Sequence, residues 1–370
     1  MRVLHISNDY YNSGVYQTLH RGFRQEGLDS TFFVSMPIET PRRDFPYVVE
    51  SHCFRRADRL WYMHKQRKIY RQFRLAVIEE KPDLLHGFFL YSSGIHCLWA
   101  KREFGVPYAV TVQNTDLLTI YPRMPHLRGL AREILQEAEA VFFISSAYRT
   151  ATLERIVPPA SRGELSNRFQ LLPFALDPFW TAHTDSSAHP GHEGPIRLLA
   201  AGTVNANKNQ LGLARAAELL EQRGMPVELT VVGEAADEEI DRRLRALSFV
   251  RRVPRLPKED LIREYRRADL FALPSLTESF GLVYAEALSQ GLPILYSAGQ
   301  GFDAQFPEGF VGFHVDPRAP DSIAEGIQKI WEQYAGLQSR CGEAADRFSQ
   351  ERVCREAIEI YRSILSGNAY

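Results

Sequence analysis

Short β-branched or leucine-rich runs alternate with helix-length segments along most of this chain, and that alternation restricts the fold more than any other feature. Residues 3–7, 30–34, 84–87, 108–112 and 140–144 read as buried strands, with helical patterns at 16–26 and 127–137 between them. Strand, helix, strand at this spacing predicts a parallel sheet with right-handed crossovers. A polar, Gly/Pro-rich stretch at 181–195, TAHTDSSAHPGHEGP, breaks the pattern and predicts an exposed loop close to an interdomain boundary. A second series follows, with strands at 197–202, 228–233, 249–253, 270–273 and 293–296 and helices at 211–223, 238–246 and 258–268. The expectation is an α/β protein with two doubly wound parallel sheets facing one another. Such sheets bind ligands outside the carboxyl ends of their strands, so chemistry is expected in the cleft between the two domains.

Length agrees with two domains, since 370 residues exceed one ordinary core. The boundaries read as 1–182 and 196–348, with 349–370 as a terminal helix packing back toward the first domain. A formal net charge of −1 argues against a general nucleic-acid binder. Cys53, Cys97, Cys341 and Cys354 lack the close grouping of a zinc site or disulfide framework, which predicts reduced thiols. The first residues, MRVLHISNDYYNSG, lack the longer apolar core of a signal peptide, and no run approaches the roughly 18 apolar residues of a membrane span. A cytoplasmic location is expected.

The segment richest in chemistry is 273–293, LPSLTESFGLVYAEALSQGLP. A strand ends near Leu273, a loop holds Pro274, Ser275, Thr277 and Gly281, and a helix is predicted over 282–289. Glycine lets the backbone approach a ligand, and a helix start offers unpaired N–H groups that favour an anion such as a diphosphate. Glu278 and Glu286 bracket the turn. Glu286 falls among Ala285, Ala287 and Leu288, where a carboxylate needs a partner. Eight helical steps rise roughly 12 Å, beyond the ~5–9.5 Å between the carboxyls of a glycoside hydrolase. Two hydroxyl-bearing rings of one elongated ligand suit that spacing better.

This segment resembles the signature of family-4 retaining glycosyltransferases of the GT-B architecture, built on two facing Rossmann-like domains. The likeness extends over the whole chain and is strongest from 196 to 317. It implies that Glu278 contacts the transferred sugar and Glu286 the ribose hydroxyls, while the amides of Phe280, Gly281 and Leu282, beside Ser279, meet the diphosphate. After the strand at 197–202 the chain reads TVNANKNQLGL. Lys208 there can neutralise phosphate as a point charge, although a solvated surface lysine is the other reading. Family members carry a basic residue where this chain has Thr203, so Lys208 bears a heavier share; Thr203 and Asn207 join the donor side.

In the first half, Asn12, Ser13 and Gly14 resemble the family's glycine-containing first loop. His86 resembles a histidine near the acceptor, with a packed core histidine as the alternative. Many relatives carry a histidine directly after the strand at 108–112; here that position is Gln113, followed by Asn114 and Asp116. Glutamine can hydrogen-bond a sugar hydroxyl but cannot shuttle a proton near neutral pH. Glu278, Lys208 and Gln113 are thus the expected catalytic residues, with His86, Asn114 and Asp116 on the acceptor side.

Residues 54–75, FRRADRLWYMHKQRKIYRQFRL, mix Arg55, Arg56, Arg59, Lys65, Arg67, Lys68, Arg71 and Arg74 with Trp61, Tyr62, Ile69, Tyr70 and Phe73. Basic amphipathic helices of this kind dock on anionic lipid surfaces; a solvated helix with its aromatics in the core is the alternative. The resemblance implies transfer of a hexose or N-acetylhexosamine from a nucleotide-diphosphate sugar, UDP ahead of GDP, to a sugar or lipid-linked hydroxyl acceptor in cell-envelope polysaccharide or glycolipid synthesis. It implies no cofactor and no metal, a lysine and a helix terminus standing in for the ion. A GT-B nucleotide-sugar epimerase and a catalytically decayed partner subunit are the competing readings.

Overall fold

The computed structural model describes residues 1–185 and 194–367. The chain divides into two compact units, Met1–Ala175 with Gln350–Tyr370, and Leu176–Ser349. Residues 176–182, assigned from sequence to the first domain, belong to the second unit and include the helix Pro178–Ala182, started by Pro178 and capped by Asp177. Residues 186–193 of the expected 181–195 loop lie outside the described residues.

The first unit is built on β1 (Arg2–Ile6), β2 (Asp29–Pro37), β3 (Val48–Phe54), β4 (Leu84–Gly87), β5 (Tyr108–Val112), β6 (Ala140–Phe143) and β7 (Phe169–Leu171). They pair in parallel in the order β3-β2-β1-β4-β5-β6-β7. The central strands are buried along their whole length and mostly apolar, with His86 in β4 and Thr111 in β5 as their polar residues. Helix Gly14–Gln25 packs Tyr16, Leu19 and Phe23 into the core, which also receives Val353, Cys354, Ala357, Ile358 and Tyr361 of the terminal helix Gln350–Leu365. The two helices are joined by Gln350 Nε2 donating to the Thr18 carbonyl at 2.5 Å and by an Arg355–Glu26 ion pair of 2.7 Å.

The second unit adds β8 (Ile196–Ala201), β9 (Val227–Val232), β10 (Val250–Val253), β11 (Leu270–Ala272), β12 (Ile294–Ser297) and β13 (Gly312–Val315), parallel in the order β10-β9-β8-β11-β12-β13. Strand order reverses between β1 and β4 in the first sheet and between β8 and β11 in the second. At such points the loops leaving two neighbouring strands diverge and leave room for a ligand. The residues after β8 and β11 are the ones that sequence singled out.

Candidate donor site and the matching edge of the first unit

The loops after β8 and β11 are tied together by asparagines. Asn207 accepts from the Thr277 amide at 3.0 Å, donates to the Thr277 carbonyl at 2.9 Å, and its own carbonyl takes the Leu276 amide at 2.7 Å. Asn209 donates to the carbonyls of Pro274 and Pro317, at 3.1 and 2.6 Å. The Asn207 side-chain amide, expected to face the donor, is committed on both its oxygen and its nitrogen to the neighbouring loop.

The pinned loops bring Lys208 and Glu278 together. Lys208 Nζ donates to Glu278 Oε2 at 2.6 Å, and the Ser275 hydroxyl reaches the same oxygen at 3.3 Å. The Ser279 amide donates to Oε1 at 3.2 Å, while the Glu278 amide donates to Gln300 Oε1 at 3.1 Å. Glu278 is 9% exposed, so the ammonium offsets a charge largely withdrawn from water. Lys208 is therefore no solvated surface lysine. Exposed Thr203 lies just beyond Gly202, and its carbonyl accepts from Gln210.

Gly281, at φ +86°, turns the chain into helix Leu282–Ser289. That left-handed conformation carries little cost only for glycine. The Ser279–Phe280 peptide is crossed by Gly301, where any Cβ would overlap the Ser279 carbonyl. The Phe280 ring is buried against Phe302 and Phe348. The first turn of the helix presents its N–H groups at the end of β11, beside the Lys208–Glu278 pair, an arrangement suited to an anion.

Glu286 sits one helical stretch further on. Tyr265 Oη donates to its Oε2 at 3.0 Å. Burial pushes the carboxyl up to about 7 against that hydrogen bond, with Asp177 adding to the rise. Composition around Glu286 predicted the need for a partner; that the partner is Tyr265, on helix Lys258–Arg267, follows only from the tertiary packing. Ser275 was read from sequence only as a loop residue, and Gln300 and Gly301 escaped the sequence reading. The small-residue run 297–301, SAGQG, starting at the last residue of β12, was the signal available for the last two.

The corresponding edge of the first unit differs. Ser13 caps helix Gly14–Gln25, and exposed Gly14 has open space where a side chain would stand. His86 is a core histidine, which corrects its expected place near an acceptor: its ring is 1% exposed, hydrogen-bonded to Tyr361 Oη at 2.6 Å and Thr111 Oγ1 at 2.9 Å. Burial drives it down to about 3, so it stays neutral. Asp116 is likewise no acceptor-facing carboxylate. Fully buried, it accepts the amides of Leu90, Tyr91 and Gln113 at 3.0, 3.3 and 3.0 Å and so clamps the loops after β4 and β5. Burial raises it to about 6 against those three bonds. Gln113 is buried too, its Nε2 donating to the Phe88 carbonyl at 3.3 Å, while Asn114 is half-buried.

Asp303, Glu308 and His314 place one potential metal-ligand atom each within 4.8 Å of one another. His314 Nδ1 lies 3.0 Å from Asp303 and 3.3 Å from Glu308, so the group accounts for itself as hydrogen bonds and ion pairs. Among the described residues, no helix is long and apolar enough to cross a membrane.

Comparison with known proteins agrees with this geometry. Residues 183–348 match the family model described as glycosyl transferases group 1, and residues 15–165 match a glycosyl transferase 4-like domain. A D-inositol 3-phosphate glycosyltransferase of Corynebacterium urealyticum is 30% identical over 310 residues, spanning 76% of this chain and 72% of that protein. Its namesake in Salinispora arenicola is 33% identical over 310 residues, with 75% and 68% covered. Among solved structures, the lipopolysaccharide outer core galactosyltransferase WaaB superposes with a TM-score of 0.73 at 15% identity, both chains fully covered. Anabaena HepE in complex with UDP gives 0.73 at 15% identity over 98% of this chain and all of that one. At such identities the superpositions speak to fold, and the fold they share is GT-B. With both halves matched in order and relatives above the 30% level over most of its length, the chain belongs to the group 1 glycosyltransferases of family 4.

Proposed function

We propose that this glycosyltransferase moves a hexose or N-acetylhexosamine from a nucleoside diphosphate sugar to a hydroxyl acceptor, with retention at the anomeric carbon and without a divalent metal. The observation that carries the reading is the Lys208–Glu278 pair beside the Gly281 turn, at the switch point of the second sheet. Bound diphosphate would draw the Lys208 ammonium toward its charge and meet the amides of Phe280, Gly281 and Leu282. Glu278, still held by the Ser279 amide and the Ser275 hydroxyl, would then orient the sugar in place of holding Lys208, and Glu286 would accept from the ribose hydroxyls. In transfer, the bond from the anomeric carbon to the diphosphate oxygen breaks and its electron pair stays on that oxygen. The acceptor oxygen bonds to the anomeric carbon on the same face, and its proton passes to the departing phosphate. Charge growing on the diphosphate is stabilised by fixed protein donors.

UDP is the favoured nucleotide, a choice supported by the UDP and UDP-glucose complexes of HepE. The inositol phosphate enzymes among the relatives support a hydroxyl acceptor. Synthesis of envelope polysaccharide or glycolipid on the cytoplasmic side of the membrane fits a sugar or lipid-linked acceptor. A thermal-shift panel of UDP, GDP, ADP and their sugars, followed by calorimetry on Glu286→Ala and Lys208→Ala, tests the donor site. Unchanged nucleotide affinity in both variants overturns it. Turnover that survives EDTA, and an NMR-resolved product of retained anomeric configuration, test the rest. Release of an isomerised free sugar without acceptor would instead identify an epimerase.

A further inference from the structure

The basic stretch at 54–75 separates into an inner and an outer face. Phe54 ends β3, a short 3-10 turn runs over Arg56–Leu60, and helix Tyr62–Glu80 follows. Gln66, Ile69, Phe73, Ala76 and Val77 point into the core of the first unit. Lys68 turns back to Asp58 at 2.8 Å, and Lys65 lies over the Phe54 ring at 4.5 Å. These residues obey the expectation of a helix packed by its aromatic side.

Among the described residues, the opposite face is engaged by the fold only at Arg74, which pairs with Glu103 and lies 5.7 Å from the centroid of the Phe104 ring. At about 100° per residue, Met63, Arg67, Arg71, Arg74 and Ile78 share an arc of roughly 80°. All five are exposed, as is Leu75 beside them. The turn leading into the helix adds exposed Arg56 and Arg59, with Leu60 at 79% and Trp61 at 63% exposure. Asp58 is the sole acid between 55 and 78, and it is buried, holding Lys68 and the Arg55 amide. The outer face therefore carries Arg56, Arg59, Arg67 and Arg71 interleaved with large apolar side chains, while Arg74 at its edge is paired with exposed Glu103 from the neighbouring helix Gly94–Phe104.

We infer that this face, led by the Leu60–Trp61 turn, is a docking surface for an anionic phospholipid bilayer. Arginines at one level match lipid phosphates, while Leu60, Trp61 and Met63 suit the boundary between headgroups and acyl chains, where indole rings are favoured. A nucleic acid would engage the arginines but leave the aliphatic side chains without a role, and the net charge of −1 does not favour one. The surface lies within the first unit and is independent of the donor-site reading.

The test uses the full chain and sedimentation with vesicles of phosphatidylcholine, alone or mixed with phosphatidylglycerol. Binding to the mixed vesicles only, weakening with salt, is the expected result. Leu60→Ser with Trp61→Ser should weaken it by about 10-fold or more, on the scale set by interfacial apolar burial. Arg67→Glu with Arg71→Glu should abolish the preference for anionic lipid. Nucleotide affinity should be the same in every variant, which separates failure here from failure of the donor site. Absence of wild-type binding, or equal binding by wild type and both double variants, overturns the inference. So does a dimer in solution that Leu60→Ser with Trp61→Ser dissolves, since the occupant would then be a second copy.

Discussion

At the switch point of the first sheet, polar side chains are consumed by the fold. His86 holds Tyr361 and Thr111, Asp116 gathers three backbone amides, and Gln113 reaches the Phe88 carbonyl. At the switch point of the second sheet, Lys208 meets Glu278 and a glycine opens a helix toward the strand ends. The same topology thus supports a structural edge in one unit and a charged, ligand-ready edge in the other. Residue type alone does not separate the two uses. What separates them is whether a group's hydrogen-bonding capacity is already filled by neutral partners, as for His86, or balanced by a charge that an incoming anion could replace.

The largest effect expected from that contrast is at Lys208. Lys208→Ala leaves Glu278 buried without its ammonium and removes the proposed phosphate contact, so turnover should fall by about 10²–10³-fold, the scale of losing one preorganised charge-stabilising donor. Steady-state kinetics at saturating acceptor measure it; a loss below threefold would erase the distinction between the edges.

In the first unit the expected effect is on stability. His86→Ala should cost about 2–4 kcal/mol, the sum of a core cavity and unsatisfied buried partners, with nucleotide affinity unchanged. Urea unfolding with parallel calorimetry checks both. Acid sharpens the comparison. Burial lowers His86 to about 3 and His20 to about 4, and places His5 well below the usual histidine range. Folded values below the unfolded one give stability that is present above about 6.5 and lost as pH falls toward 4. The raised carboxyl of Asp116 partly offsets this. Glu286, raised to about 7, works the opposite way in the second unit, its buried charge being relieved as pH falls. The first unit should therefore melt first in an acid titration followed by hydrogen exchange.

A smaller effect concerns the donor. Ribose hydroxyls hydrogen-bond best to ionised Glu286, so nucleotide affinity should strengthen by up to about 10-fold as pH rises from 6 to 8, following its elevated value. Glu286→Gln should flatten that dependence. Smallest is Asp116→Asn, with a stability change near 1 kcal/mol at neutral pH. Asp116 itself contributes less stability as pH rises through about 6, so the difference between wild type and the amide variant should change across that range.

Much of this was legible before any coordinates. Strands at 84–87 and 108–112 were placed to the residue, because they are mainly apolar stretches with a single polar residue each, His86 and Thr111. The three strands that sequence missed, β3, β7 and β13, all occupy sheet edges. Glu50, Ser51 and His52 interrupt β3, and exposed His314 interrupts four-residue β13, so neither gives an unbroken signal. In the candidate site, Glu278, Lys208 and the Gly281 turn stood out by residue type within their own loops, whereas the pairing of Lys208 with Glu278, 70 residues apart, did not. His86 was misplaced because its partner Tyr361 stands 275 residues away, and Asp116 because two of its three amides come from Leu90 and Tyr91, 26 and 25 residues back, with only Gln113 nearby. Nothing in the local sequence announces such pairings.

The return of residues 350–370 to the first unit bears on how the chain is made. A ribosome finishes the whole of 176–349 before it releases the helix that brings Val353, Ala357 and Tyr361 to the earlier half. The unit begun first is thus completed last, and until then His86 waits without the Tyr361 hydroxyl. Expressed alone, 1–175 should remain open and prone to aggregate, whereas 176–349 should fold unaided. A peptide of the final 21 residues, added in trans, should rescue the fragment.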